Sequence, residues 1–121
     1  MRYLLILRYG LAFVFLANAI NGIFNPSDFK EAIEKTVIFA GILNILPYFP
    51  TLVGINDFAI SLLLFTNLFP NIAAKWASAW LAIVILVLFT QGGWGIVDAM
   101  EHLGFLSIAL VLYINSIPSS R

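Results

Sequence analysis

The chain has 121 residues, of which 62% are hydrophobic and only 10% charged, with a mean hydropathy of +1.02. A water-soluble domain alternates its apolar residues with a wetted face, and so much oil excludes that class. Six basic and six acidic residues give a formal net charge of zero, and the basic ones are scattered too widely to grip a row of nucleic-acid phosphates. The absence of cysteine closes dithiol redox chemistry, thiolate metal sites and disulfides together.

The first apolar stretch runs from about Tyr3 to Phe24, near the ~20 residues that cross a hydrocarbon core of ~30 Å. It ends in Asn25-Pro26 with no small-residue cleavage site, so it reads as a retained helix and not as a signal peptide. The residue before a proline is pushed out of the α region, and Ser27 or Asp28 can cap the next helix. That helix, about 27–46, keeps Phe29, Ile33 and Val37 on one face and Lys30, Glu31, Glu34 and Lys35 elsewhere, which suits an amphipathic helix lying along the membrane interface. Lys30 and Glu34 are spaced to support each other weakly.

Pro47-Tyr48-Phe49-Pro50 breaks the chain before a second crossing, about 51–69. Pro70-Asn71 turns it into a third, about 73–90, and the glycine-rich Gln91–Gly95 segment leads to a fourth, about 96–117. The expected fold is therefore all-α: one integral membrane domain, a four-helix bundle with an interfacial helix between its first and second spans. Both termini are expected in the cytoplasm, which places Arg2, Arg8, Lys75 and Arg121 inside against Lys30 and Lys35 outside. The expected location is a prokaryotic plasma membrane.

Polar groups are costly inside a bilayer and mark packing contacts or sites. In the up-down order, Asn18 and Asn21 late in the first span, Asp57 and Ser61 early in the second, and Asp98, Glu101 and His102 early in the fourth reach one level on the outer side. Asn18 and Asn21 lie within about 60° of each other on the helix wheel, and Asp57 and Ser61, like Asp98 and His102, are one turn apart. The set is expected to line a pocket: Asn18, Asn21, Asp57 and Ser61 would bind a quinone or lipid, and Asp98, Glu101 and His102 would relay protons. A carboxylate beside an imidazole can fix its tautomer. The plain alternative is hydrogen bonding across the bundle for the asparagines and serine, and a solvated loop for the last three residues. Arg8, one to two turns inside the membrane, would anchor an anionic lipid at the other side or snorkel to lipid phosphates. Trp76, Trp80 and Trp94 read as belt and packing residues. No metal-binding spacing, phosphate loop, nucleophile elbow or dinucleotide fingerprint is present.

The string Leu7-Arg8-Tyr9-Gly10-Leu11 through Phe24-Asn25-Pro26 resembles the opening helix of the DoxX-like family of small four-helix membrane proteins, and Asp57-Phe58-Ala59-Ile60-Ser61 to Pro70-Asn71 resembles its second crossing. The likeness covers roughly the first 90 residues. It departs where Gly22 replaces a common lysine and Asn71 the usual basic residue of the turn. The resemblance implies association with quinone-linked oxidation, or more distantly a membrane chaperone role. The function expected is a non-catalytic accessory subunit of an oxidoreductase complex, with a quinone as the expected non-covalent ligand. Its partners would be membrane lipid and other membrane subunits, with homo-oligomers left open. The alternative is a purely structural or assembly subunit whose only ligand is lipid. An autonomous thiol–quinone oxidoreductase is excluded by the lack of cysteine, and a haem held by two histidines by the single histidine.

Overall fold

The computed structural model describes residues 2–91 and 93–117, with the side chains of Asp28, Ala32 and Trp94 outside the description. The belt role of the Trp94 side chain and the terminal Arg121 therefore fall outside the description. Those described build an all-α membrane bundle of six helices: α1 (Arg2–Phe24), α2 (Pro26–Glu34), α3 (Val37–Ile45), α4 (Phe49–Thr66), α5 (Pro70–Gln91) and α6 (Trp94–Ser116). α1, α4, α5 and α6 are each long and apolar enough to cross a membrane. The protein is an integral membrane protein.

Local chemistry sets the helix ends. Asn25, ahead of Pro26, sits outside the α region at φ −126° and ψ 55°, and it is Asn25, not Ser27 or Asp28, that occupies the cap of α2. α4 stops at Thr66, short of Phe69, because Asn67 takes the left-handed conformation at φ 55°. α5 then begins directly at Pro70, where a missing N–H costs nothing. Gly93 takes φ +51° at the cap of α6, a conformation that disfavours side chains.

The single interfacial helix expected over 27–46 is two helices. Thr36 is extended, at φ −103° and ψ 128°, and its buried hydroxyl donates to the Ile33 carbonyl at 2.9 Å. That side-chain bond competes with the helical ladder and turns the chain between α2 and α3. The resulting hairpin lies across one end of the bundle, where α2 meets α1 and α4 while α3 meets α4 and α5. Ile33, Thr36 and Leu43 are its buried anchors. Lys30 and Glu34 pair at 3.8 Å on its exposed side, a contact worth a few tenths of a kcal/mol.

The spanning helices form two close pairs, α1 with α4 and α5 with α6, joined along looser α1–α6 and α4–α5 seams. The first pair is close because small residues let its backbones approach. A Cβ on Gly22 would stand 2.8 Å from Gly54 Cα and 2.8 Å from the Pro50 carbonyl oxygen. Further along, Phe13 packs edge-on against Phe65 with ring centres 5.0 Å apart. Leu11, Ala12, Phe15, Ile60, Leu64, Ala73, Ala77, Leu81 and Ala109 fill the middle of the bundle. Outward-facing Ile6, Phe13, Ile20, Leu62, Leu86 and Ile114 present the apolar surface that lipid requires. This core plugs the space between the two pairs and leaves a cavity at either end: one under the α2–α3 hairpin, the other beside the start of α1 and the end of α6.

Candidate functional site

The cavity under the hairpin has a volume of about 300 Å³ and takes walls from all six helices. Its apolar lining comes from Phe15 of α1, Phe29 and Ile33 of α2, Phe39 of α3, Phe49 and Val53 of α4, and Leu81, Val84 and Leu88 of α5. Into this surface project Asn18 from α1, Asp57 from α4, Trp80 and Gln91 from α5, and Asp98 and His102 from α6, with Lys35 and Thr36 at the hairpin bend. An apolar cavity with a few convergent polar groups is the ordinary form of a small-ligand site.

Asp57 is its most constrained member, 3% exposed in the third turn of a spanning helix. A buried carboxyl needs partners, and α5 helps to provide them. The Asn56 side-chain amide donates to Asp57 Oδ1 at 3.1 Å, and Trp76 Nε1 donates to Asn56 Oδ1 at 3.0 Å. Trp80, one turn further along α5, lines the cavity wall with the carboxyl. Indole nitrogen is only a donor, so Trp76 directs its N–H across the looser α4–α5 seam. The arrangement ties the two helix pairs together and fixes the carboxyl at the cavity wall.

His102 is half-buried on α6 beside Phe105, with ring centres 5.7 Å apart. Its Nδ1 lies 2.7 Å from the backbone carbonyl oxygen of Asp98. A carbonyl can only accept, so the geometry places the proton on Nδ1 and leaves Nε2 as an acceptor. The tautomer is thus set by the Asp98 backbone and not by its carboxylate, as the one-turn spacing had suggested.

The residues expected to share a site separate into two groups. Asn18, Asp57, Asp98 and His102 line the one cavity. Asn21 and Glu101 are exposed and lie outside its walls. Ser61, 1% exposed, faces α1, where its hydroxyl donates to the Ala12 carbonyl at 2.9 Å. It works as a clamp between α1 and α4. Arg8 is far from all of these, in the cavity at the termini end. Among the described residues no cluster of three or more metal-ligating side chains occurs. The sequence reading missed Trp80, Gln91 and the whole α2–α3 contribution. A signal for Trp80 existed, since an indole N–H inside a span needs an acceptor at its own depth, and Asn56-Asp57 offers one.

A family model described as methylamine utilisation protein MauE matches residues 1–102. The chain belongs to the MauE family. The matching description is this one and not the DoxX-like family that the first two spans resemble; what the two readings share is a small integral membrane protein. No curated protein and no solved structure matches the chain. The MauE match runs from α1 to His102 and so includes every residue lining the hairpin-end cavity. Leu112, Asn115 and Ser116, which help to line the other cavity, lie beyond it.

Proposed function

We propose that the protein is an accessory membrane subunit of a quinone-linked redox complex, which holds a quinone, or a lipid with a comparable headgroup, in the hairpin-end cavity while a partner subunit performs the chemistry. The observation that carries this reading is the convergence of Asn18, Asp57, Trp80 and His102 from four different spans onto one cavity with otherwise largely aromatic and aliphatic walls. A volume of about 300 Å³ is at the small end for ligand sites, ~300–1,000 Å³, and suits a single ring with the beginning of a tail. A quinone presents flat π-faces and two carbonyl acceptors; Phe15, Phe29, Phe39 and Phe49 offer ring contacts, while Asn18, Gln91 and Lys35 offer donors.

The family description names methylamine utilisation. Oxidising an amine carbon releases electrons, and a membrane quinone is a natural acceptor for them. His102 and Asp98, at the α6 side of the cavity, would pass the protons that accompany quinone reduction. Counting Lys and Arg favours cytoplasmic termini, with Arg2, Arg8 and Lys75 at that end, so the cavity would open toward the outer leaflet. Zero cysteines exclude a thiol catalyst.

Gentle purification followed by mass spectrometry of the extract and of co-purifying subunits tests the proposal. The expected result is about one quinone per chain, lost in Asp57→Leu protein that still folds. Extracts containing only bulk lipid, with identical partners for both proteins, would support the assembly-subunit reading instead.

A further inference from the structure

The cavity at the termini end, about 410 Å³, opens between the start of α1, the α4–α5 turn and the end of α6. Arg8 reaches it from α1, and Asn67, Asn115 and Ser116 supply neutral polar groups from the other helices. Leucines at positions 4, 5 and 112 make its apolar side. The guanidinium is the decisive feature. A guanidinium presents only donors, and its Nε here is buried with no hydrogen-bond partner among the described residues. Its Cζ lies 5.1 Å from the Tyr9 ring centre, a cation–π contact.

Nothing in the described part of the chain neutralises it. Among the described residues no carboxylate lines this cavity, and the one ion pair, Lys30–Glu34, belongs to α2. The neighbouring groups are arranged for an anion. Pro70, Ala73 and Ala74 bring the N-terminal end of α5, the positive end of a helix dipole, into the wall. Asn71 donates to Ser116 Oγ at 3.3 Å and Ser116 donates onward to the Tyr113 carbonyl at 2.7 Å, which fixes the α6 side of the rim.

We infer that this cavity seats the phosphate of a single anionic phospholipid from the leaflet at the chain's termini, with Arg8 as the fork-shaped donor and Asn67 and Asn115 beside it. The leucine side is what distinguishes a lipid from free phosphate, since it continues the cavity as a track for an acyl chain. The site is independent of the hairpin-end cavity, and the core from Leu11 to Phe15 stands between them. Snorkelling to many headgroups would not need a lined recess; a seated lipid does.

The test is thermal unfolding of the purified full-length protein in neutral detergent, titrated separately with phosphatidylglycerol, phosphatidylcholine and inorganic phosphate. Phosphatidylglycerol is expected to raise the midpoint saturably, and the other two to do so weakly or not at all. Arg8→Gln should weaken the apparent affinity by about tenfold or more, the scale of losing one charge-assisted paired contact, and Arg8→Lys by less. Arg2→Gln, which removes the same charge from an exposed position, should leave the response intact. If Arg8→Gln does not fold, Asn115→Leu should reduce the response in its place. An equal loss in Arg2→Gln would reduce the effect to general electrostatics, and a full response to inorganic phosphate would replace the lipid by a free anion; either result overturns the proposal.

Discussion

Replacing Gly22 with alanine adds one methyl group at the tightest point between α1 and α4. The new Cβ would stand 2.8 Å from Gly54 Cα, 2.8 Å from the Pro50 carbonyl oxygen and 3.0 Å from the Gly54 nitrogen. All three are backbone atoms of the facing helix, so no rotamer change can clear the space. The helices must move apart by several tenths of an ångström, in a core that resists such changes. Overpacking of this kind costs about 1–3 kcal/mol, and backbone contacts argue for the upper end. Against this stands a gain of about 1 kcal/mol in helix propensity when glycine becomes alanine. The net expectation is a loss of about 2 kcal/mol. Gly10→Ala is the matched control, because a Cβ there meets nothing within 4 Å and only the propensity gain applies. Reversible unfolding in mixed micelles, followed by tryptophan fluorescence, should rank Gly10→Ala at or above the wild type and Gly22→Ala clearly below it. Equal stability of the two variants would refute the close α1–α4 approach.

Three further outcomes follow from the same contacts. Ser61→Ala should cost about 0.6–2 kcal/mol in the same unfolding assay, the range for a hydrogen bond between membrane helices, and leave quinone retention unchanged. Asn18→Leu should reduce quinone retention measured by mass spectrometry, whereas Asn21→Leu, one turn along on the exposed side, should not. Asn56→Leu removes both the amide that holds Asp57 and the acceptor of Trp76, and should lower both stability and ligand retention; a loss of stability alone would dissociate this network from the site.

The spans were legible because length and hydropathy depend on composition, which a single sequence states outright. Their registry was harder. Asn18 and Asn21 share a stripe, yet α1 turns Asn18 into the cavity and Asn21 away from it, since a stripe about 60° wide can straddle the edge of a packed face. Asp57 and Ser61 share a face too, but the Ser61 hydroxyl is taken up by the Ala12 carbonyl of α1 while Asp57 lies at the cavity wall. The break at Thr36 was hidden because a threonine hydroxyl competing for the Ile33 carbonyl leaves no mark on the apolar pattern. Trp80 was read as packing because an indole is large and apolar, with its N–H the lesser part of its surface. Conversely, Gly22 was noted for replacing a lysine, and the Gly54 backbone opposite explains why no side chain fits there.

The central claim, that the hairpin-end cavity takes a quinone, is tested most directly through Trp80 itself. A variant carrying Trp76→Phe and Trp94→Phe retains Trp80 as its one tryptophan, at the cavity wall. Titration with a short-chain benzoquinone in detergent should quench its fluorescence saturably, at about one quinone per chain, and the Asp57→Leu change should shift the curve to higher concentration while Asn21→Leu leaves it in place. Linear, unsaturable quenching that is the same in all three proteins would contradict the account.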